Sequence, residues 1–200
     1  MGDSVKFIYP EGATPLAHEE LQELIPPHIT LQSELNLWEQ NNILLGEQWA
    51  LRQREILTDQ FVQTLHYKMF DQTWKWAGIY RQTGKNIGID WHFIPTEIRR
   101  LCDDVRYQIE HQSYDTLEIA VRFHHRLVWI HPFPNGNGRH ARLMADLLLM
   151  QNNFPRFSWG QKQMKIGNLY ETTPIRKLYI QALREADQHD YAALIKFAMS

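Results

Sequence analysis

The 200-residue sequence has one cysteine, Cys102, so no internal disulfide can brace the fold. It also lacks a long apolar run. The longest stretches, such as Leu147 to Met150, fall far short of the ~20 residues that cross a bilayer, which excludes a helical membrane span. Charge of one sign is scarce as well: 21 Lys and Arg against 23 Asp and Glu leave a net charge of −2. No global field therefore draws the chain onto a nucleic-acid backbone or an anionic membrane. No basic, apolar and small-residue leader pattern opens at Met1, and Gly2 is no myristoylation signal because Lys6 stands where that motif wants Ser or Thr. The expectation is a cytoplasmic protein with no membrane association and no direct nucleic-acid binding.

What is present is ordinary globular material, 44% hydrophobic and 22% charged, with seven tryptophans, eight tyrosines and nine phenylalanines. At roughly 100 to 200 residues per domain, the chain is one domain, long enough to bury a core, with room for an N-terminal extension. Val5 to Tyr9 reads as a short extended segment closed by Pro10 and Gly12. Thr14-Pro15 then reads as a helix start running to about Leu24. Apolar positions from Thr30 to Leu57 recur at helical spacing, and Thr58 restarts a periodic run that ends near Gly78. Between residues 79 and 95, Tyr80, Ile87, Ile89, Trp91 and Phe93 alternate with polar residues around Gly84 and Gly88, the pattern of a β-hairpin. Helical spacing returns from Thr96, from Leu117 to Pro132, after Gly136, and from 173 to 199 with a break near Asp190. The fold class expected is mainly α with one small hairpin.

The chemistry-bearing stretch is His131-Pro132-Phe133-Pro134-Asn135-Gly136-Asn137-Gly138-Arg139-His140-Ala141-Arg142, between two of these helices. A glycine turn at a helix N-terminus presents backbone N–H groups and positive dipole potential, which suit a phosphate. Arg139 and Arg142, three residues apart, fall on one helix face and can grip neighbouring phosphates. His131, just before the loop, has the titration range of a general base. Base and phosphate grip together point to phosphoryl or nucleotidyl transfer. The remaining histidines show no His-Glu-x-x-His or paired-cysteine spacing that would indicate zinc, and Cys102 sits on an apolar helical stripe.

These twelve residues resemble the Fic (Fic/Doc) signature H-x-F-x-[DE]-G-N-G-R-x-x-R at every fixed position except Asn135. Trp76-Ala77-Gly78 with Arg81 is similar to the segment before the Fic hairpin, and Pro155 to Trp159 to the stretch after the motif helix. Glu11 to Leu16, Ile25 to Thr30 and Glu34 to Asn36 further resemble the Fic subgroup called mobile mystery protein B. The resemblance implies a Fic-type helical domain at 58–200 with a hairpin flap, preceded by a helical extension at 1–57. It implies a protein adenylyltransferase that moves AMP from ATP, with Mg2+, onto a Ser, Thr or Tyr hydroxyl of a target protein. His131 would be the base and Phe133 would fix the loop. Asn135 would stand at the metal position, an amide where the family has a carboxylate. Gly136, Asn137 and Gly138 would surround the α- and β-phosphates, with Arg139 on the β- and Arg142 on the γ-phosphate. The flap residues Thr83, Gly84, Lys85, Asn86, Ile87, Gly88 and Ile89 would dock the target by strand addition.

Many Fic proteins are restrained by a glutamate of a motif [ST]-x-x-x-E-[GN] that pairs with the second motif arginine. Glu39, followed by Gln40 and Asn41, has Leu35 four before it; Glu34 has Thr30 four before it but is followed by Leu35. Glu39 is the stronger candidate, against the alternative of a solvated glutamate on an amphipathic helix. The subgroup resemblance also implies a helix-turn-helix partner protein. Two other functions stay open: a Fic transferase using another nucleotide or phosphodiester donor, and a nucleotide-binding member of a toxin-antitoxin-like pair with weak or no transfer.

Overall fold

A computed structural model describes residues 14–29, 31–161 and 174–200. The extended segment expected at Val5 to Tyr9 lies outside them. Helices run α1 His18–Leu21, α2 Gln32–Ala50, α3 Asp59–Phe70, α4 Ile94–Glu110, α5 Thr116–Ile130, α6 Asn137–Gln151, α7 Pro174–Ala186 and α8 Ala192–Met199, with a 3-10 turn at Trp91–Phe93 leading into α4. The mainly helical fold class is as expected.

Side-chain hydrogen bonds set several boundaries. The Thr58 hydroxyl accepts the Phe61 N–H at 3.1 Å and starts α3. The Asp90 carboxylate accepts the His92 N–H at 3.0 Å and starts the 3-10 turn. α3 stops at Phe70, well before Gly78, because Asn42 of α2 takes over its end. The Asn42 side-chain amide donates to the Lys68 carbonyl (3.3 Å) and to Asp71 Oδ1 (3.0 Å), while Oδ1 accepts from the Gln72 N–H (3.0 Å). α2 ends at Ala50, earlier than the apolar spacing suggested, and the following turn delivers Ile56 and Leu57 into the core.

The apolar stripes meet around α5, which packs against α4, α6 and α8, while α3 packs against α2, α4 and α6. Phe70, Phe123, Leu127, Ile130, Phe133 and Met144 are among the side chains fully withdrawn from water there. At ~25 cal/mol per Å² of apolar surface, this shared interior is what fixes the α5–α6 corner. The N-terminal segment is stitched on by main-chain bonds: Ile25 N–H to the Thr73 carbonyl (2.9 Å), Lys75 N–H to the Glu23 carbonyl (3.0 Å), and an isolated antiparallel bridge between Leu24 and Trp74.

The hairpin expected between 79 and 95 does not form; residues 79–90 are an irregular loop. Its hydrogen-bonding groups are taken by other partners. The Arg81 N–H donates to the Pro132 carbonyl at 2.9 Å and the Ile89 N–H to the Ile130 carbonyl at 3.4 Å. The buried Arg81 guanidinium donates to the Thr83 (2.8 Å) and Ile89 (2.5 Å) carbonyls. Arg81 thus ties the loop to the end of α5 in place of a strand ladder.

Candidate active site

His131 terminates α5 in the left-handed conformation, φ 54°, a state that strains a residue with a β-carbon. The strain is held from both sides. Arg81 Nε donates to the His131 carbonyl at 2.7 Å, and Gly88, at φ 101°, lies so close that an added β-carbon would stand 2.7 Å from both the Arg81 guanidinium and His131 Cβ. Only glycine fits there. The ring is buried, and Nδ1 has no partner of hydrogen-bond geometry among the described residues. Burial first, then the Arg81 charge and, more weakly, that of Lys85, lower its pKa to about 4, against an opposing pull from the Val128 carbonyl. His131 is therefore neutral near pH 7. In the tautomer with its proton on Nδ1, the neutral ring offers the Nε2 lone pair as acceptor.

The loop that follows is locked by side chains bonding its own main chain. Asn137 Oδ1 accepts the Phe133 N–H (2.9 Å) and Asn137 Nδ2 donates to the Phe133 carbonyl (2.8 Å). The Asn137 side chain is thereby committed to the loop, so an anion would meet the N–H groups of α6's first turn, which have no intrahelical acceptor. Gly136 sits at φ 79°, where a β-carbon would come within 2.7 Å of the Phe70 ring. The sequence reading missed His66, whose Nδ1 accepts the Gly78 N–H (2.9 Å). That fixes the proton on Nε2, which donates to the Asn135 carbonyl at 3.0 Å. Its ring stacks on Phe133 with centroids 3.7 Å apart. Nothing in the sequence marked this histidine, because its partners lie 12 and 69 positions away.

The two motif arginines are held by different helices. Arg139 donates to Glu39 Oε2 of α2 at 2.5 Å, with side chains only 15% and 7% exposed, and its guanidinium carbon lies 4.8 Å over the Phe70 ring. Glu39 Oε1 accepts Trp74 Nε1 at 2.8 Å. Arg142 lies instead against Tyr179 of α7, 5.6 Å from its ring centroid. Glu39 therefore reaches the motif, but at the first arginine and not the second. Asn135 Oδ1 accepts the Gly136 N–H at 2.6 Å. For a divalent cation this is a thin donor set: one neutral amide oxygen, with no group of three or more His, Cys, Asp or Glu among the described residues arranged to hold an ion.

The N-terminal segment closes the site. Thr14 Oγ1 lies 3.0 Å from His131 Nε2, and Asn135 Nδ2 donates to the Thr14 carbonyl at 3.2 Å. From the loop at 79–90, Lys85 Nζ reaches the Pro15 carbonyl (3.3 Å) and pairs with Glu20 (2.5 Å). Beside it, Gly84, Lys85, Gly88, Ile89, Asp90 and Trp91 line an open recess of about 370 Å³. The other buried histidines serve structure: His124 meets Tyr179, His125 meets Asp187 and His140 meets the Val62 carbonyl.

A helical domain with a buried neutral histidine, a glycine-locked turn and an arginine at a helix N-terminus defines a class of anion-binding, proton-accepting site. Residues 56–149, just under half of the chain, match the Fic/DOC family model. The chain is similar to protein adenylyltransferase fic-1 of Caenorhabditis elegans, 49% identical over 82 residues, a match covering 40% of this chain and 16% of that protein. This chain thus spans less than a fifth of that relative's length. Among solved structures, the N-terminal Fic domain of a Bartonella quintana Bep effector superposes with TM-score 0.68 at 17% identity, covering 92% of each chain. A structure of such a Bartonella quintana domain with bound ADP gives TM-score 0.63 at 17% identity, covering 86% of each chain. No helix among the described residues is long and apolar enough to cross a membrane.

Proposed function

We propose that this chain is a protein adenylyltransferase that moves AMP from ATP to a hydroxyl side chain of a target protein. The observation that carries the reading is the Glu39 carboxylate on Arg139: the guanidinium at the start of α6 already holds an anion, beside the turn where the N–H groups of a helix N-terminus point. A phosphate brings the same charge and geometry. His131 Nε2 takes the proton of the incoming hydroxyl, the oxygen bonds to the α-phosphorus, and the bond to the β-phosphate oxygen breaks to release pyrophosphate. Arg139 and Arg142 hold the β- and γ-phosphates, and Gly136, Asn137 and Gly138 hold the α- and β-phosphates through main-chain N–H groups, that of Gly136 after leaving Asn135 Oδ1. The adenylyltransferase name of the curated relative supports the reading.

Magnesium, arriving on the triphosphate as Mg2+ commonly does, would neutralise phosphate charge, with Asn135 Oδ1 as its protein ligand. Residues 1–57 act as a regulatory extension in which Glu39 restrains the site by occupying Arg139. The loop Thr83 to Ile89 docks the target over the adjoining recess. We place the chain in the mobile mystery protein B subgroup, in the cytoplasm. Its helix-turn-helix partner has a surface to meet on α2, where Leu37 and Leu44 lie exposed seven residues apart. Asn135 favours a second reading, a nucleotide-binding partner protein with weak transfer, because the amide is uncharged and already accepts the Gly136 N–H. Asn135→Asp separates the two: transfer rises with added magnesium in an enzyme and stays absent in a pure binder.

A further inference from the structure

The hydroxyl of Thr14 is buried, and buried hydroxyls are placed by what they bond. This one is bonded to the nitrogen assigned above as the general base, at 3.0 Å, although 117 residues of chain separate the two. The backbone that follows it is fixed as well. Asn135 holds the Thr14 carbonyl, Lys85 holds the Pro15 carbonyl, and Pro15 itself restricts the chain's torsion. Farther on, Glu20 ties the segment down three times: its carboxylate accepts the Ala17 N–H at 2.7 Å and pairs with Lys85, and its carbonyl accepts Trp76 Nε1 at 3.1 Å. An extended stretch is thus clamped between the loop at 79–90 and the motif turn with one hydroxyl on the base, the position a protein target's hydroxyl must take.

We propose that Thr14 is a self-modification site, adenylylated by the same chain's His131; this rests on the adenylyltransferase reading. Thr14 Oγ1 gives its proton to His131 Nε2 and forms a bond to the α-phosphorus of a nucleoside triphosphate, while the α–β phosphoanhydride bond breaks and pyrophosphate leaves. Holding both groups on one chain replaces a bimolecular encounter with an intramolecular one. Glu39 on Arg139 competes with the phosphates for the same cation, so the reaction is slow until that carboxylate is removed. Once modified, Thr14 carries a phosphodiester that cannot return to its place against Nε2, and the segment leaves the base open to other hydroxyls.

The test uses the full chain as Glu39→Gly, incubated with magnesium and ATP, with intact mass, peptide mapping and pyrophosphate release read together. One AMP on Thr14, absent in the Glu39→Gly/His131→Ala double variant, lost in Thr14→Val and kept in Thr14→Ser, is the expected result. In a mixture of Glu39→Gly with the double variant, the double variant stays unlabelled; label on it overturns the intramolecular step. Label confined to other residues overturns the Thr14 assignment and leaves the adenylyltransferase reading standing. Pyrophosphate release without label does the same, water having taken the place of Thr14. Neither label nor pyrophosphate overturns both.

Discussion

Replacing Glu39 with glutamine should produce two effects of opposite direction. The variant keeps an amide oxygen for Trp74 Nε1 but removes the charge that Arg139 faces at 2.5 Å. Breaking a buried ion pair from one side costs about 3–5 kcal/mol, because the surviving charge is left without its partner. Arg139 remains 15% exposed and keeps its place over the Phe70 ring, so the low end of that range, about 3 kcal/mol, is the expected loss of stability in the absence of nucleotide. Nucleotide binding should move the other way. In the wild-type chain a phosphate must displace Glu39 before it can bond Arg139. A hydrogen bond to a charged group is worth about 1.5–3 kcal/mol, so relief of that competition raises ATP affinity roughly 10- to 100-fold. Urea denaturation of the free protein and calorimetric titration with ATP measure the two effects. A destabilised variant whose ATP affinity is unchanged or weaker would refute the assignment of Arg139 as a phosphate ligand masked by Glu39.

Acid should destabilise the fold through its buried histidines. Burial lowers His131 to about 4 and His140 to about 3, and His66 and His124 are lowered too, whereas an unfolded chain protonates near 6.5. The unfolded state binds more protons between these values, so this stabilisation is complete above pH 6.5 and is lost as pH falls toward 3, about 3 kcal/mol of it from His131. Asp146, raised to about 6 by burial, works against the trend below pH 6. Urea midpoints between pH 4.5 and 7.5 should therefore fall on acidification, and His131→Gln should flatten the slope; a midpoint indifferent to pH contradicts neutral buried imidazoles. Gly88→Ala should cost about 2 kcal/mol or more, since its β-carbon would meet Arg81 and His131 at 2.7 Å on a backbone of positive φ. Thermal denaturation measures it, and a variant as stable as the parent would show that the loop at 79–90 does not press on His131.

The helices were readable from period and punctuation, and the corner between α5 and α6 from one contiguous motif, because both are local signals. Long-range side-chain bonds were not. Asn42 ends α3 from another helix, Arg81 takes carbonyls that a hairpin would have paired, and His66 sets the motif loop through partners far along the chain. Alternation of apolar and polar residues from Tyr80 to Phe93 looked like strands, yet Ile87 and Phe93 are exposed. Tyr80, Ile89 and Trp91 do pack half-buried against the core, so the period marked contacts of an irregular loop and no continuous strand face. Glu39 was found from sequence by an imperfect motif, but its choice of Arg139 over Arg142 depends on how α2 packs on α3. The contact between Thr14 and His131 left no trace in either segment alone.

The central claim is that His131 is the base of an adenylyl transfer. Incubating the purified chain and its His131→Ala variant with magnesium and labelled ATP, in the Glu39→Gly background, tests it by intact mass. One or more AMP additions that vanish in His131→Ala, while calorimetry still detects ATP binding to that variant, is the result expected of a base that is separate from the anion site. Equal transfer by both proteins would contradict the mechanism.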